Sequence, residues 1–145
     1  MNPKIISIIA FLAAVAGVLF LFTKDYIFSL LPIPIFIQVF SIGLMIWARF
    51  TFGLRSFHAA ANTTKGELVT NGPYRWLRHP IYASLIYFFS ASVIAYPFIE
   101  TVIGFIMIVG GLYIRMIMEE KYLIERYKEY AEYSKNTKRI IPYLF

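Results

Sequence analysis

The sequence predicts an all-α integral membrane protein with about four transmembrane helices, a cytoplasmic loop in the middle and a C-terminal amphipathic helix. Hydrophobic residues make up 59% of the 145-residue chain and charged residues only 15%, which is far from the composition of a soluble domain. Charged residues are also absent from three long stretches, at 5–23, 26–48 and 79–99. Each stretch suffices to form a membrane span, because about 20 helical residues cover the roughly 30 Å hydrocarbon core of a bilayer.

Prolines and charges mark the ends of the predicted helices. Pro32 precedes the second span, and Pro80 opens the third, where the missing N–H of proline would be unpaired in any case. Arg115 interrupts the fourth span near its end. We expect one membrane domain over 1–145, with spans at about 5–22, 35–52, 80–96 and 101–118, a loop at about 53–79, and an interfacial helix and tail at 119–145.

The basic residues are concentrated on one side of this topology. Four spans put both termini and the central loop on the same side, and that side carries every lysine and arginine except Lys24. The positive-inside rule therefore predicts that both termini and the loop are cytoplasmic. A net charge of +6 fits this topology and anionic lipid headgroups, so we predict membrane lipids, and no nucleic acid, as partners. Cysteine is absent, which excludes disulfides and thiolate metal sites, and no metal site is predicted.

The end of the central loop is rich in groups that can bind a ligand. Residues 68–82 read LVTNGPYRWLRHPIY, whereas two membrane spans need only a short polar turn between them. Asn71-Gly72-Pro73 is a turn signal. Each aromatic or basic residue of this run also has a simpler interpretation as a membrane-belt aromatic or a topology charge. Their joint occurrence favours a ligand site at the membrane surface.

Arg115 and Glu119 form a second candidate group. Fourteen residues separate Arg115 from Glu100, or about 21 Å of helix, so we expect Arg115 to lie below the cytoplasmic interface. An arginine there either faces a partner or cavity or extends to the headgroups, and its position alone leaves both open. Glu119 lies one helical turn later on the same face. It either forms a surface ion pair with Arg115 or provides a carboxylate for a cationic ligand. Glu120 points elsewhere, as an outer supporting residue or a solvated one.

Together these motifs resemble the isoprenylcysteine carboxyl methyltransferase family, whose wider relatives include membrane phospholipid N-methyltransferases. The resemblance covers about 54–142 and rests on LVTNGPYRWLRHPIY, a following hydrophobic hairpin, RMIMEEKYL, YKEYAEY and a closing proline. It implies methyl transfer from S-adenosylmethionine at the cytosolic membrane face without a Rossmann domain. The chain indeed has no Gly-rich strand–turn–helix fingerprint.

The resemblance also implies site residues. Arg115 would bind and orient the carboxylate of the acceptor, a lipid-like or isoprenoid-linked molecule that enters from the bilayer. Carboxyl O-methylation suits this site, since an ionised carboxylate needs no general base and an arginine offers it a bidentate fork. The cofactor would contact Gly66, Glu67, Leu68, Val69, Tyr74, His79 and Glu119.

Three other functions stay open at this point. N-methylation of an amine headgroup would make Arg115 a poor neighbour for an aminium substrate. A nicotinamide-dependent membrane reductase would predict more than four spans. A non-catalytic membrane module is disfavoured because Arg115, Glu119 and His79 are all present.

Overall fold

The computed structural model describes residues 3–53 and 68–145, and its regular secondary structure in those ranges is helical, as predicted. A 3₁₀ turn at Gly72–Arg75 precedes the third helix. In chain order the α-helices are α1 (Pro3–Thr23), α2 (Pro32–Phe52), α3 (Pro80–Ala95), α4 (Ile99–Arg126) and α5 (Tyr130–Asn136).

Four apolar helices lie where the sequence predicts spans. Within the described residues, α1, α2 and α4 are long and apolar enough to cross a bilayer, at 21, 21 and 28 residues. Helix α3 is equally apolar but has only 16 residues, or about 24 Å of helix. The all-α membrane class is therefore confirmed, with three full-length candidate spans and one shorter apolar helix.

The C-terminal half is divided into helices differently from the prediction. The sequence predicts a fourth span at about 101–118 that leads into an interfacial helix and tail at 119–145. Instead α4 continues without a break to Arg126, and the short α5 begins at Tyr130. The predicted boundary was placed where charges begin, but charged residues do not end a helix. Glu119 and Glu120 both lie within α4, and their side chains have partners on other parts of the fold.

Small residues bring α1 and α4 into close, antiparallel contact. A Cβ atom added to Gly111 would lie 2.3 Å from the carbonyl oxygen of Ala10, and one added to Gly17 would lie 2.8 Å from that of Gly104. Small residues allow such close backbone approach between membrane helices. An apolar cluster lies beside this contact, in which Leu21 packs with other buried hydrophobic side chains of α1, α3 and α4.

The C-terminal tail folds back onto the segment that precedes α3. Three backbone hydrogen bonds of 2.7–3.1 Å join residues 76–79 to residues 138–139. The hydroxyl of Tyr133 donates to the carbonyl oxygen of Tyr74 at 2.6 Å. The tail thereby fixes the position of the polar run in which the sequence predicted a ligand site.

Candidate functional site

The turn predicted at Asn71-Gly72-Pro73 is present and sets the position of the segment behind it. Gly72 has a φ of +56°, and a Cβ there would lie 2.6 Å from Oγ1 of Thr51 on α2. Both the left-handed backbone and the close contact require glycine. The turn buries Tyr74, whose ring centroid lies 5.5 Å from that of Phe52.

His79 precedes α3 and lies between two carboxylates of α4. Its Nε2 is 3.3 Å from Oε1 of Glu120, and its Nδ1 is 3.8 Å from Oε2 of Glu119. The imidazole also stacks on the ring of Tyr82, with centroids 5.6 Å apart. Its side chain is only 4% exposed. The structure therefore brings together the two sequence motifs, which lie forty residues apart in the chain.

Tyr82 connects Glu119 to Arg115. Its hydroxyl donates to Oε1 of Glu119 at 2.5 Å and accepts from Nε of Arg115 at 2.7 Å. Nε of Arg115 also lies 3.6 Å from the same carboxylate oxygen. The guanidinium carbon sits 5.1 Å from the ring centroid of Phe11 on α1, and Arg115 is only 5% exposed. Of the two alternatives for Arg115, the structure supports a buried residue with partners rather than one that extends to the headgroups.

Glu120 is a buried supporting residue rather than a solvated one. Arg139 of the tail donates to both of its carboxylate oxygens, at 2.9–3.2 Å. Nε of Arg78 lies 3.1 Å from Oε1, and Arg78 also donates from Nη1 to the carbonyl oxygen of Ser134 at 2.5 Å. The hydrogen bonds to Glu120 raise the pKa of Arg139. Glu120 is therefore the point at which the loop, α4 and the tail are joined.

Two tyrosines, the buried Tyr74 and the half-buried Tyr133, lie beside this cluster. Burial, as the main cause, raises the pKa of Tyr133 to about 12. Burial also raises the pKa of Tyr74, and the negative charge of Glu119 raises it further. Both phenols are therefore neutral at physiological pH and can donate hydrogen bonds.

The predicted site residues fall into three groups. Arg115, Glu119 and His79 share one cluster with Tyr82 and Glu120. Tyr74 is buried in the preceding turn, and Leu68 and Val69 are half-buried in the extended segment that leads into it. Gly66 and Glu67 lie outside the described residues.

Sequence reasoning assigned no individual role to Tyr82, which it left open as a membrane-belt aromatic or as part of the ligand site. A signal was available, because Tyr82 follows His79 by three residues and side chains at that spacing share a helix face. Arg139 was also missed. It follows Glu120 by nineteen residues, and no local sequence pattern predicts that the tail folds back.

Comparison with protein-family models gives a match to the isoprenylcysteine carboxyl methyltransferase (ICMT) family over residues 30–125. The match covers more than half of the 145-residue chain. It includes His79, Arg115 and Glu119 and stops before Arg139. Searches of curated proteins and of solved structures found no match. The chain belongs to the isoprenylcysteine carboxyl methyltransferase family.

Proposed function

We propose that this protein transfers a methyl group from S-adenosylmethionine to the carboxylate of a lipid-like or isoprenoid-linked acceptor at the cytosolic face of a membrane. Membership of a carboxyl methyltransferase family supports methyl transfer as the reaction. One observation carries the assignment of the site. Arg115 for an anion and Glu119 for a cation lie side by side and share the hydroxyl of Tyr82.

The residues present fit the charges of the cofactor, which carries an ammonium, a sulfonium and a carboxylate. Oε1 of Glu119 accepts from Tyr82, but within the described residues Oε2 has no hydrogen bond, and the side chain is 23% exposed. Glu120 is already engaged by two arginines. A cationic group of the cofactor would therefore be held by Glu119, with His79 and Tyr74 beside it.

The other cofactor residues of the proposal come from the family resemblance. Leu68 and Val69 would line the cofactor site, and Gly66 and Glu67, outside the described residues, would complete it. When bound, S-adenosylmethionine supplies a methyl group already activated on sulfur, so the protein mainly orients and shields the reactants.

The acceptor carboxylate would be held by Arg115. A guanidinium in a low-dielectric site binds a carboxylate strongly and can orient it with two parallel hydrogen bonds. Since an ionised carboxylate is already a nucleophile, no residue has to remove a proton, and positioning supplies much of the acceleration. Phe11, which contacts Arg115, is 37% exposed on the apolar surface, which suits an acceptor with an apolar tail. An aminium acceptor would instead be repelled by Arg115.

Calorimetric binding of S-adenosylmethionine to the detergent-solubilised protein tests the cofactor. We expect saturable binding that is at least about tenfold weaker in Glu119→Gln, because a hydrogen bond to a charged group contributes about 1.5–3 kcal/mol. Glu125→Gln is the matched control, since Glu125 is exposed on the same helix and its loss should leave affinity unchanged. Absence of binding by the folded wild-type protein would refute the proposal.

Kinetics with a small isoprenylated cysteine test the role of Arg115. We expect Arg115→Gln to raise the KM for this acceptor by at least about tenfold, with cofactor affinity within about twofold of wild type. Arg126→Gln, at an exposed position of the same helix, should change neither. Weakened cofactor affinity together with an unchanged KM for the acceptor would contradict the assignment of Arg115 to the acceptor.

A further inference from the structure

We infer that Glu120 and Arg139 are positioning residues that hold His79 in one tautomer, with its proton on Nε2 and a bare Nδ1 beside Glu119. Nδ1 of His79 and Oε2 of Glu119 then act as a pair of acceptors for one ammonium group. The identity of that group as the α-amino group of S-adenosylmethionine rests on the proposed function. The inferred tautomer of His79 does not depend on the proposed function.

The distances around the imidazole select the tautomer. Nε2 lies 3.3 Å from Oε1 of Glu120, whereas Nδ1 lies 3.8 Å from Oε2 of Glu119, which is too long for a hydrogen bond. An ionised carboxylate only accepts hydrogen bonds, so the ring nitrogen that bonds to Glu120 must carry the proton. In a neutral imidazole the other nitrogen is then an acceptor.

Glu120 can impose this choice because it is held in place by two arginines. Arg139 binds both of its oxygens, and Arg78 lies 3.1 Å from Oε1. The backbone of the same two segments is also joined, with the N–H of His79 donating to the carbonyl oxygen of Arg139 at 3.0 Å. Glu120 therefore has little freedom to turn away from Nε2. The partner on one ring nitrogen of a histidine commonly fixes what the other nitrogen does.

The selected tautomer has a chemical consequence at Glu119. A proton on Nδ1 would be directed at Glu119 and would occupy an acceptor that a ligand needs. A bare Nδ1 instead adds a second acceptor 3.8 Å from Oε2. An ammonium group has several N–H donors and can bond to both. The side chain of Glu119 is 23% exposed, so the ligand reaches the pair from that side.

Nitrogen-15 NMR of labelled histidine tests the tautomer directly. The chain has two histidines, His58 and His79, so His58→Gln leaves only the signals of His79. We expect a protonated Nε2 and a bare Nδ1 in this background, and averaged signals of mixed tautomers in Glu120→Ala. Arg139→Gln should also shift the His79 signals towards those of mixed tautomers. This variant provides the test if Glu120→Ala does not fold. Lys138→Gln is the control, because Lys138 is exposed.

Two probes test the ammonium pair in the same samples. S-adenosylhomocysteine should move the Nδ1 resonance, and the analogue with an acetylated amine should bind about tenfold more weakly. Arg139→Gln should weaken S-adenosylhomocysteine binding by about tenfold, the lower end of the roughly 10–100-fold loss that follows removal of an outer partner of a histidine in metal sites.

A proton on Nδ1 in the wild-type ring would overturn the inference, however tightly the cofactor binds. An Nδ1 resonance unmoved by saturating S-adenosylhomocysteine would overturn the ammonium pair. Unchanged tautomer and affinity in folded Arg139→Gln would remove Arg139 from the positioning role. The expected tautomer without any binding would refute the proposed function and the ammonium pair while upholding the tautomer.

Discussion

At the scale of single residues, the hydroxyl of Tyr82 organises the candidate site. A phenol has one proton to donate, and here it goes to Glu119 while the oxygen accepts from Arg115. The same hydroxyl therefore contacts both the proposed cofactor carboxylate and the proposed acceptor cation. Without it, Nε of Arg115 would lose its 2.7 Å hydrogen bond and with it a constraint on the orientation of the guanidinium.

We predict that Tyr82→Phe lowers kcat/KM for an isoprenylated cysteine acceptor by about tenfold, because a hydrogen bond to a charged group is lost. The ring remains to stack on His79, so the free energy of unfolding should fall by only about 1.5–3 kcal/mol, the contribution of a hydrogen bond to a charged group. Tyr96→Phe is the matched control. It lies at the opposite end of α3, where the Tyr96 hydroxyl donates to the carbonyl oxygen of Phe28 at 2.6 Å. Its free energy of unfolding should fall by about 1 kcal/mol with unchanged kinetics, and equal kinetics in both variants would contradict the role of Tyr82.

The sequence predicted the site residues that lie close together in the chain and missed the contacts between residues that lie far apart in it. Arg115 and Glu119 were predicted together because one turn of helix separates them, and His79 was predicted from the motif that contains it. The contacts of Glu120 could not be predicted. They depend on Arg139, which reaches Glu120 only because the tail pairs with residues 76–79. Spacing within one helix carries no information about such a contact.

At the scale of the helices, hydropathy located the four apolar segments but not all of their ends. Helix α2 begins at Pro32, three residues earlier than predicted, because proline is compatible with the first turn. Helix α4 extends eight residues past the predicted end of the span. A run of charges indicates where the hydrocarbon core ends, whereas a helix ends where its hydrogen bonding or packing ends.

Because α1 and α4 pack closely, alanine substitutions of the two adjacent glycines Gly110 and Gly111 in α4 should have different effects on stability. We predict that Gly111→Ala lowers the free energy of unfolding by about 1–3 kcal/mol, as overpacking does, because the new Cβ would lie 2.3 Å from backbone oxygen of Ala10. Among the described residues, a Cβ at Gly110 meets nothing within 4 Å, so Gly110→Ala should be neutral or stabilising by up to about 1 kcal/mol, since alanine favours the helix. Thermal unfolding in detergent, followed by circular dichroism, measures both. Equal stability of the two variants would rule out the close approach at Gly111.

At the scale of the whole molecule, the candidate site and the short interhelical turns lie at opposite ends. The ring of Tyr26 stacks on that of Tyr96 at 5.2 Å, so the turn after α1 meets the turn after α3. Glu119 lies twenty residues along α4 from its start at Ile99, or about 30 Å. The tail and the start of α3 meet Glu119 at that far end. The two ends are separated by roughly the thickness of a hydrocarbon core.

This arrangement leads to a prediction of orientation. The site end carries the basic tail and should face the cytoplasm, where a water-soluble cofactor is available, while Lys24 should face the opposite side. Because the chain has no cysteine, a single introduced cysteine reports its own side without background. We expect Lys24→Cys to react with a membrane-impermeant maleimide in intact cells. Lys135→Cys, at an exposed position of α5, should react only after the membrane is opened.

The cysteine-free parent protein controls for labelling of other proteins, and retained cofactor binding shows that each variant is folded. The reverse pattern, with Lys135→Cys labelled in intact cells, would contradict the orientation and would place Glu119 and Arg115 on the wrong side for a cytosolic cofactor. Labelling of both positions in intact cells would contradict the separation of the two ends by a membrane. The expected pattern would place the carboxylate proposed to bind the cofactor and the arginine proposed to bind the acceptor at the cytoplasmic interface, where a soluble methyl donor and a membrane-anchored acceptor can meet.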